Sequence, residues 1–178
     1  MDPGQPVEAR VEDLLGRMTL GEKIGQMCQY TKYPEKHEEL VRAGKVGSLF
    51  NVTGAEETNE VQNIAVERSR LGIPLIFGLD IIHGYSTIYP IPLAMASSWD
   101  PEMAKRAASI AAAEASSEGI HWNFAPMVDI ARDPRWGRVA EGAGEDPYLS
   151  SAMARAQVEG YQGEDLAYPS TIVACPKH

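Results

Sequence analysis

Polar side chains recur directly after three apolar runs of the sequence. They are Asp80, His83 and Tyr85 after PLIFGL; Asp129, Arg132, Asp133, Arg135, Trp136 and Arg138 after IHWNFAPMV; and Lys177 and His178 after TIVAC. If the runs are parallel strands, their carboxyl ends share one face of the fold. Groups that lie far apart in the chain are then expected to converge.

The mixture of side-chain types indicates a class of ligand. Carboxylates accept hydrogen bonds from neighbouring hydroxyls, whereas Arg, Lys and His donate them. A neutral polyhydroxylated ring needs both kinds of partner, and a Trp or Tyr ring can cover its C–H face. A phosphate needs donors only, and the EGAGEDP run lacks the strand–turn–helix GxGxxG pattern. The set therefore favours a sugar over a nucleotide.

Several of these residues also fit structural roles. A strand-end carboxylate such as Asp80 can cap the backbone that follows it. The arginines of RDPRWGR can pair with Asp133 to stabilise their own loop. His83 and His121 are predicted to be structural. Since the histidines show no HxH or HExxH spacing, no metal site is predicted.

Two further features stay ambiguous or favour structural roles. Glu141 and the Glu145-Asp146 pair have the composition of an acid/base pair. Asp146-Pro147, however, is typical of a helix start, where a carboxylate stabilises the first turn. Trp136 fits a core position and the wall of a site equally well.

Alternation of apolar runs with helical segments predicts the elements that position these groups. Predicted strands cover 46–52, 74–79, 120–128 and 171–175, and predicted helices cover 7–18, 19–27, 35–43, 56–70, 101–118 and 147–163. Such alternation is typical of parallel strands with helical crossovers. The predicted fold class is α/β, a (β/α)8 TIM-barrel-like architecture present as about four strand–helix units, or half of a barrel. The predicted domains are an amino-terminal helical segment, 1–44, and the half barrel, 45–178.

Composition excludes several partner classes. The chain has 178 residues and a net charge of −9, which disfavours nucleic acid and anionic membrane surfaces. Two cysteines, Cys28 and Cys175, form neither a disulfide framework nor a CxxC zinc motif. The amino terminus has no signal-peptide pattern, so the expected compartment is periplasmic or extracellular after leader removal, and cytoplasmic otherwise. No cofactor is predicted.

Three longer segments resemble a known family. GIPLIFGLDIIHGY (72–85), APMVDIARDPRWGRVAEGAGEDPYL (125–149) and VACPKH (173–178) are similar to the amino-terminal barrel of glycoside hydrolase family 3. The resemblance is closest to its bacterial β-glucosidase branch and extends over nearly the whole chain, including LLGRMTLGEKIGQM (14–27) and YPIPLA (89–94). RDPRWGR followed by GEDP is its most specific part.

The resemblance implies roles for individual residues. Asp80 matches a carboxylate that binds hydroxyls of the terminal sugar. Arg138 matches a sugar-binding arginine, and Lys177 with His178 matches a Lys-His pair of the same subsite. The family hydrolyses β-glucosides with retention, through a carboxylate nucleophile and a carboxylic acid/base. Its nucleophile lies in an SDW- or SDY-like motif, and this chain contains no Ser-Asp dipeptide. The expectation is therefore a fragment with part of the sugar subsite, no catalytic residue of its own and no activity alone. GLDIIHG also stands where N-acetylhexosaminidases of the family have a DQEGG-like sequence, which disfavours that substrate.

Two other functions remain open at this point. Lys177 at a strand end could form a Schiff base, as in barrel lyases. The chain could also be a non-catalytic sugar-binding or structural half-barrel. Because four strands leave two open edges, the expected partner is the missing barrel half or a second copy of the chain.

Overall fold

Strands and helices alternate along the chain, and strands pair in parallel, which confirms the predicted α/β class. The computed structural model describes residues 4–32 and 36–178. The helices are α1 (Val7–Arg17), α2 (Leu20–Gln26), α3 (Lys36–Arg42), α4 (Ala55–Arg68), α5 (Pro92–Ala96), α6 (Pro101–Ser117) and α7 (Pro147–Gln162). The strands are β1 (Gln29–Thr31), β2 (Ser48–Phe50), β3 (Ile76–Leu79), β4 (Trp122–Asn123) and β5 (Val173–Ala174). The predicted start of the third helix, Glu35, lies outside the described residues.

The chain divides into two compact units. One comprises Met1–Val52 and Glu56–Ile76, and the other comprises Thr53–Ala55 and Phe77–His178. Within the described residues, no helix has the length and apolar character that crossing a membrane requires.

In the first unit, β1 pairs in parallel with β2, with Gln29 opposite Ser48. The strand β1 was not predicted, and it lies within the segment predicted to be helical (1–44). Only three residues long and mostly polar, β1 shows no apolar run and is recognisable only by its pairing with β2. The helix α2 begins at the predicted capping box, in which Thr19 Oγ1 accepts from the Glu22 amide and Glu22 accepts from the Thr19 amide.

The Glu22 carboxylate also anchors a distant arginine. Arg70 donates to Glu22 Oε1 at 2.9 Å and to Oε2 at 2.6 Å, and the glutamate residue is only 8% exposed. These hydrogen bonds, with those from Thr19, lower the pKa of Glu22 to about 2. The pair ties the start of α2 to the segment after α4.

In the second unit, β3, β4 and β5 pair in parallel, with Gly78 opposite Trp122 and Trp122 opposite Val173. The strand predicted over 120–128 is much shorter in the structure. Regular pairing ends at Asn123. Beyond Pro126, which has no N–H to donate, pairing resumes as a single parallel bridge between Met127 and Lys177.

Helices α6 and α7 pack closely against each other. Both begin as predicted: Asp100 accepts from the Met103 amide at 3.1 Å, and Asp146 from the Tyr148 amide at 2.9 Å. The α6 face that is buried consists of Ala104, Ala107, Ala108, Ala111, Ala112 and Ala115. A Cβ at Gly160 of α7 would lie 2.3 Å from the Lys105 carbonyl oxygen, so this helix contact requires glycine. The short helix α5 was not predicted.

Candidate functional site

Two strand ends of the second unit carry the predicted site residues onto one face. Asp80 directly follows β3, and Lys177 lies three residues after β5. The Lys177 amide donates to the Pro126 carbonyl at 3.0 Å, and the Val128 amide donates to the Lys177 carbonyl at 2.8 Å. This parallel pairing fixes the backbone of Lys177 beside the segment that leads into Asp129.

Asp80 and Lys177 form an ion pair although they are 97 residues apart in the chain. Lys177 Nζ lies 2.5 Å from Asp80 Oδ1, and the two side chains are 15% and 40% exposed, respectively. The lysine stem is therefore largely covered while the carboxylate stays accessible. An accessible carboxylate beside an ammonium offers an acceptor and a donor at one point.

Arg138 is oriented by a carboxylate in its own loop. Its Nε and Nη2 donate to Glu141 Oε1 and Oε2 at 2.8 Å and 2.7 Å. This bidentate contact raises the pKa of Arg138 and lowers the pKa of Glu141. Because both oxygens of Glu141 face the guanidinium, Nη1 is the nitrogen left for other contacts.

His178 joins the two sides of the site. Its Nδ1 lies 2.7 Å from Asp129 Oδ2, and its Nε2 lies 3.0 Å from Arg138 Nη1. Arginine is only a donor, so in neutral His178 Nε2 must accept and Nδ1 must carry the proton, which it donates to Asp129. The hydrogen bond from His178 lowers the pKa of Asp129. The imidazole is held at both nitrogens, and its tautomer is set by its neighbours.

The structure thus brings all four predicted site residues, Asp80, Arg138, Lys177 and His178, into one connected group. Their role toward a ligand stays a prediction. The group alternates acceptors and donors at the ends of three strands, an arrangement suited to a neutral hydroxylated ligand. Sequence reasoning did not assign the two carboxylates that orient the set, Asp129 and Glu141. The i, i+3 spacing of Arg138 and Glu141 was the available signal for one of them.

Other residues of the same loops take the predicted structural roles. Arg135 pairs with Asp133, Nη2 to Oδ2 at 2.6 Å, and stabilises the RDPRWGR turn. His83 Nδ1 contacts the Tyr89 carbonyl at 3.0 Å, and His121 Nδ1 accepts from the Phe77 amide at 3.2 Å. Burial lowers the pKa of His121, which favours this neutral acceptor form.

Trp136 lies in a wall and not in the core. It is 37% exposed and lines an open cavity of about 470 Å³, together with Asp129, Ile130, Arg132 and Asp133. Among the residues with described positions, no three His, Cys, Asp or Glu side chains are grouped so that they could hold a metal ion.

Comparison with known proteins identifies a family match. The model of the family described as "Glycosyl hydrolase family 3 N terminal domain" matches residues 19–178. A periplasmic beta-glucosidase of Salmonella typhimurium is 39% identical over 175 residues, which are 96% of this chain and 23% of that enzyme.

Solved structures share the fold. A β-glucosidase from Listeria innocua in complex with glucose superposes with a TM-score of 0.86 at 37% identity, over 97% of this chain and 27% of that one. A mutant of that enzyme in complex with laminaribiose gives a TM-score of 0.85 at 39% identity, over 98% and 26%. The chain therefore spans about a quarter of the length of these relatives. The predicted resemblance and fold class are confirmed.

Proposed function

The chain belongs to glycosyl hydrolase family 3, and on that premise we propose that Asp80, Arg138, Lys177 and His178 form part of the subsite for a terminal β-D-glucosyl residue. The enzyme concerned is a retaining β-glucosidase acting on β-glucosides or oligosaccharides. Its relatives include β-glucosidases whose structures hold glucose or laminaribiose.

One observation carries this proposal: the four residues, spread over 99 positions of sequence, are linked into one group by short contacts. Asp80 lies 2.5 Å from Lys177, and Arg138 lies 3.0 Å from His178, the residue next to Lys177. Glucose presents several neighbouring hydroxyls, each a donor and an acceptor. A site that alternates carboxylate, ammonium and guanidinium can satisfy such a set without a net charge on the ligand.

The carboxylates in this group bind and orient; they do not transfer protons. A general acid must hold a proton near neutral pH, which requires a raised pKa. The pKa values of Asp129 and Glu141 are instead lowered by His178 and Arg138. Both oxygens of Glu141 are also occupied by Arg138. These lowered pKa values argue against a general acid among the two carboxylates, but an ionised carboxylate could still be a nucleophile. The family resemblance implies a nucleophile in an SDW- or SDY-like motif, and this chain contains no Ser-Asp dipeptide. We therefore propose that the nucleophile and the acid/base belong to parts of the enzyme other than these residues, and that this chain alone is inactive.

The proposal includes the organisation of the longer enzyme. Residues 1–44 form an amino-terminal segment, from which β1 pairs with β2, and residues 45–178 form the first half of a (β/α)8 barrel. The remaining barrel half, or a second copy of the chain, covers the open sheet edge beside β5. The coverage of about a quarter of each relative supports this division. A relative named as periplasmic supports a periplasmic location.

The direct test is a glucose titration of the chain followed by NMR. We expect saturable shifts near Asp80 and Lys177, and loss of binding in Asp80→Asn and Lys177→Met. Lys105→Met is the matched control, because Lys105 forms a similar ion pair with Glu159, 2.9 Å apart, away from the site. If Lys105→Met weakens binding as much as Lys177→Met, or wild type shows no saturable shift, the subsite assignment is wrong.

A chromogenic β-glucoside tests the catalytic part of the proposal. No turnover is expected from the chain alone. Turnover above background that is lost in Asp129→Asn or Glu141→Gln would instead place a catalytic carboxylate in this group.

The Schiff-base alternative has less support from the geometry. A lysine that condenses with a carbonyl needs a neutral amine, whereas Lys177 donates to the Asp80 carboxylate. Borohydride treatment with a carbonyl substrate is expected to leave Lys177 unmodified, and a covalent adduct there would reinstate the lyase function.

A further inference from the structure

The backbone immediately after Asp80 is held by buried polar side chains. Asn123 of β4 uses both ends of its amide: Oδ1 accepts from the Ile81 amide at 2.8 Å, and Nδ2 donates to the Ile81 carbonyl at 3.2 Å. Tyr161 of α7 donates its hydroxyl to the same carbonyl at 2.8 Å. The peptide groups on both sides of Ile81 are thereby fixed from two elements.

This contact lies in a dry part of the second unit. Asn123 is 0% exposed, Ile81 is 1% exposed and Tyr161 is 2% exposed. Burial raises the pKa of Tyr161 to about 12, so its hydroxyl keeps its proton and remains a donor. Because water cannot replace a lost partner there, each bond holds the backbone strongly.

The position of the contact is what distinguishes it from ordinary core packing. The strand β3 ends at Leu79, and Asp80 is the next residue. Asn123 lies opposite Leu79 in the strand register, so its side chain continues the pairing for Ile81 where the backbone ladder stops. Asp80 thus lies between β3 and Ile81. We call the two side chains that hold Ile81, Asn123 and Tyr161, the clamp.

Asp80 itself has little else to fix it. Its side chain is 40% exposed, and among the described residues its side-chain hydrogen bond is with Lys177. Because packing covers this carboxylate only in part, its position depends strongly on the backbone that carries it. The bonds to Ile81 therefore determine where the carboxylate meets Lys177.

We propose that Asn123 and Tyr161 are positioning residues, which hold Ile81 so that the Asp80 carboxylate is presented to Lys177 and to the sugar. The inference rests on the proposed glucosyl subsite and adds two residues that do not contact the ligand. Displacement of a binding group by about 1 Å can cost on the order of 100-fold in an enzyme's rate. Loss of one of three bonds to Ile81 is expected to cost less, roughly 3- to 10-fold in glucose affinity.

The test compares two hydroxyl deletions on one helix. Tyr161→Phe keeps the ring and its packing and removes the hydroxyl that donates to the Ile81 carbonyl and also interacts with Asn123. Ser150→Ala is the control, because Ser150 is also buried on α7 and its hydroxyl has no hydrogen-bond partner in the part of the chain that the structure describes. Asn123→Leu, which keeps the branched shape and loses the two other bonds, is the second variant.

Two readouts are measured on the full chain. The first is the glucose dissociation constant, obtained by NMR titration. The second is recorded without sugar and combines the ¹⁵N resonance of the Lys177 ammonium with the hydrogen-exchange rate of the Ile81 amide. We expect Tyr161→Phe to weaken glucose binding, shift the Lys177 signal and speed exchange at Ile81, and Ser150→Ala to change none of these. Asn123→Leu should have the same three effects as Tyr161→Phe, and each effect should be larger.

The two readouts separate the two hypotheses. If wild type does not bind glucose but Tyr161→Phe still shifts the Lys177 signal, the subsite proposal fails and the positioning role stands. If Ile81 exchange speeds up while the Lys177 signal and the glucose affinity stay at wild-type values, the clamp is structural only and the inference is overturned. Equal effects of Tyr161→Phe and Ser150→Ala would overturn it as well.

Discussion

Replacing Glu141 by Gln tests whether the orientation of Arg138 matters for the site. The carboxylate accepts from Nε at 2.8 Å and from Nη2 at 2.7 Å. A Gln amide keeps one acceptor oxygen, but its NH₂ group then faces a guanidinium nitrogen that can only donate. One charge-assisted bond is lost, and the guanidinium is free to rotate away from His178.

The size of the effect follows from the exposure of the pair. The side chains of Arg138 and Glu141 are 43% and 30% exposed, so solvent replaces part of the lost bond. We expect glucose to bind roughly 3- to 10-fold more weakly, the range typical of one partly exposed charge-assisted hydrogen bond.

Asp133→Asn provides a matched control in the same loop. Asp133 also holds an arginine through two nitrogens, with Arg135 Nε at 3.0 Å and Nη2 at 2.6 Å, but that arginine is 88% exposed and has no contact with His178. Isothermal titration with glucose should therefore show a loss in Glu141→Gln and wild-type affinity in Asp133→Asn. Equal losses, or none in Glu141→Gln, would refute the orienting role.

Three further predictions concern stability and protonation. The pKa of Glu22 is lowered from 4.5 to about 2, so its contribution to the free energy of unfolding is present above about pH 4.5 and is lost as the pH falls toward 2. Urea unfolding of Glu22→Gln should therefore show a smaller loss of that free energy on acidification than wild type. Gly160→Ala should destabilise the chain by about 1–3 kcal/mol because its Cβ meets the Lys105 carbonyl at 2.3 Å. By contrast, Gly16→Ala, with nothing within 4 Å, should stabilise it by about 0.5 kcal/mol in the same thermal melts. In ¹⁵N NMR, neutral His178 should carry its proton on Nδ1, facing Asp129; an Nε2–H tautomer would contradict the arrangement with Arg138.

Local patterns predicted much of the fold. Asp-Pro pairs mark the starts of α6 and α7, and the Thr19–Glu22 capping box marks the start of α2, because a helix end is decided by neighbouring residues. Apolar runs located β2 to β5, but their lengths were overestimated. Only pairing defines a strand's end, and the β4 ladder ends at Asn123 although the apolar run continues to Val128.

The site shows the same difference between features set by local sequence and features set by contacts between distant segments. Residue types and their positions after apolar runs predicted that polar groups would converge, and the family resemblance selected Asp80, Arg138, Lys177 and His178 among them. The partners of those residues were not evident in the sequence. Asp129 reaches His178 across 49 residues, and Tyr161 reaches Ile81 across 80.

The sequence by itself determined the alternation of strands and helices, the helix starts, the family and the candidate site residues, since each depends on local order or on a continuous motif. The tertiary structure alone decided that β1 exists, that Asp129 contacts His178, and that Asn123 and Tyr161 hold the backbone after Asp80. These contacts join distant segments, and their geometry depends on strand register and on how α7 packs, which no local pattern encodes.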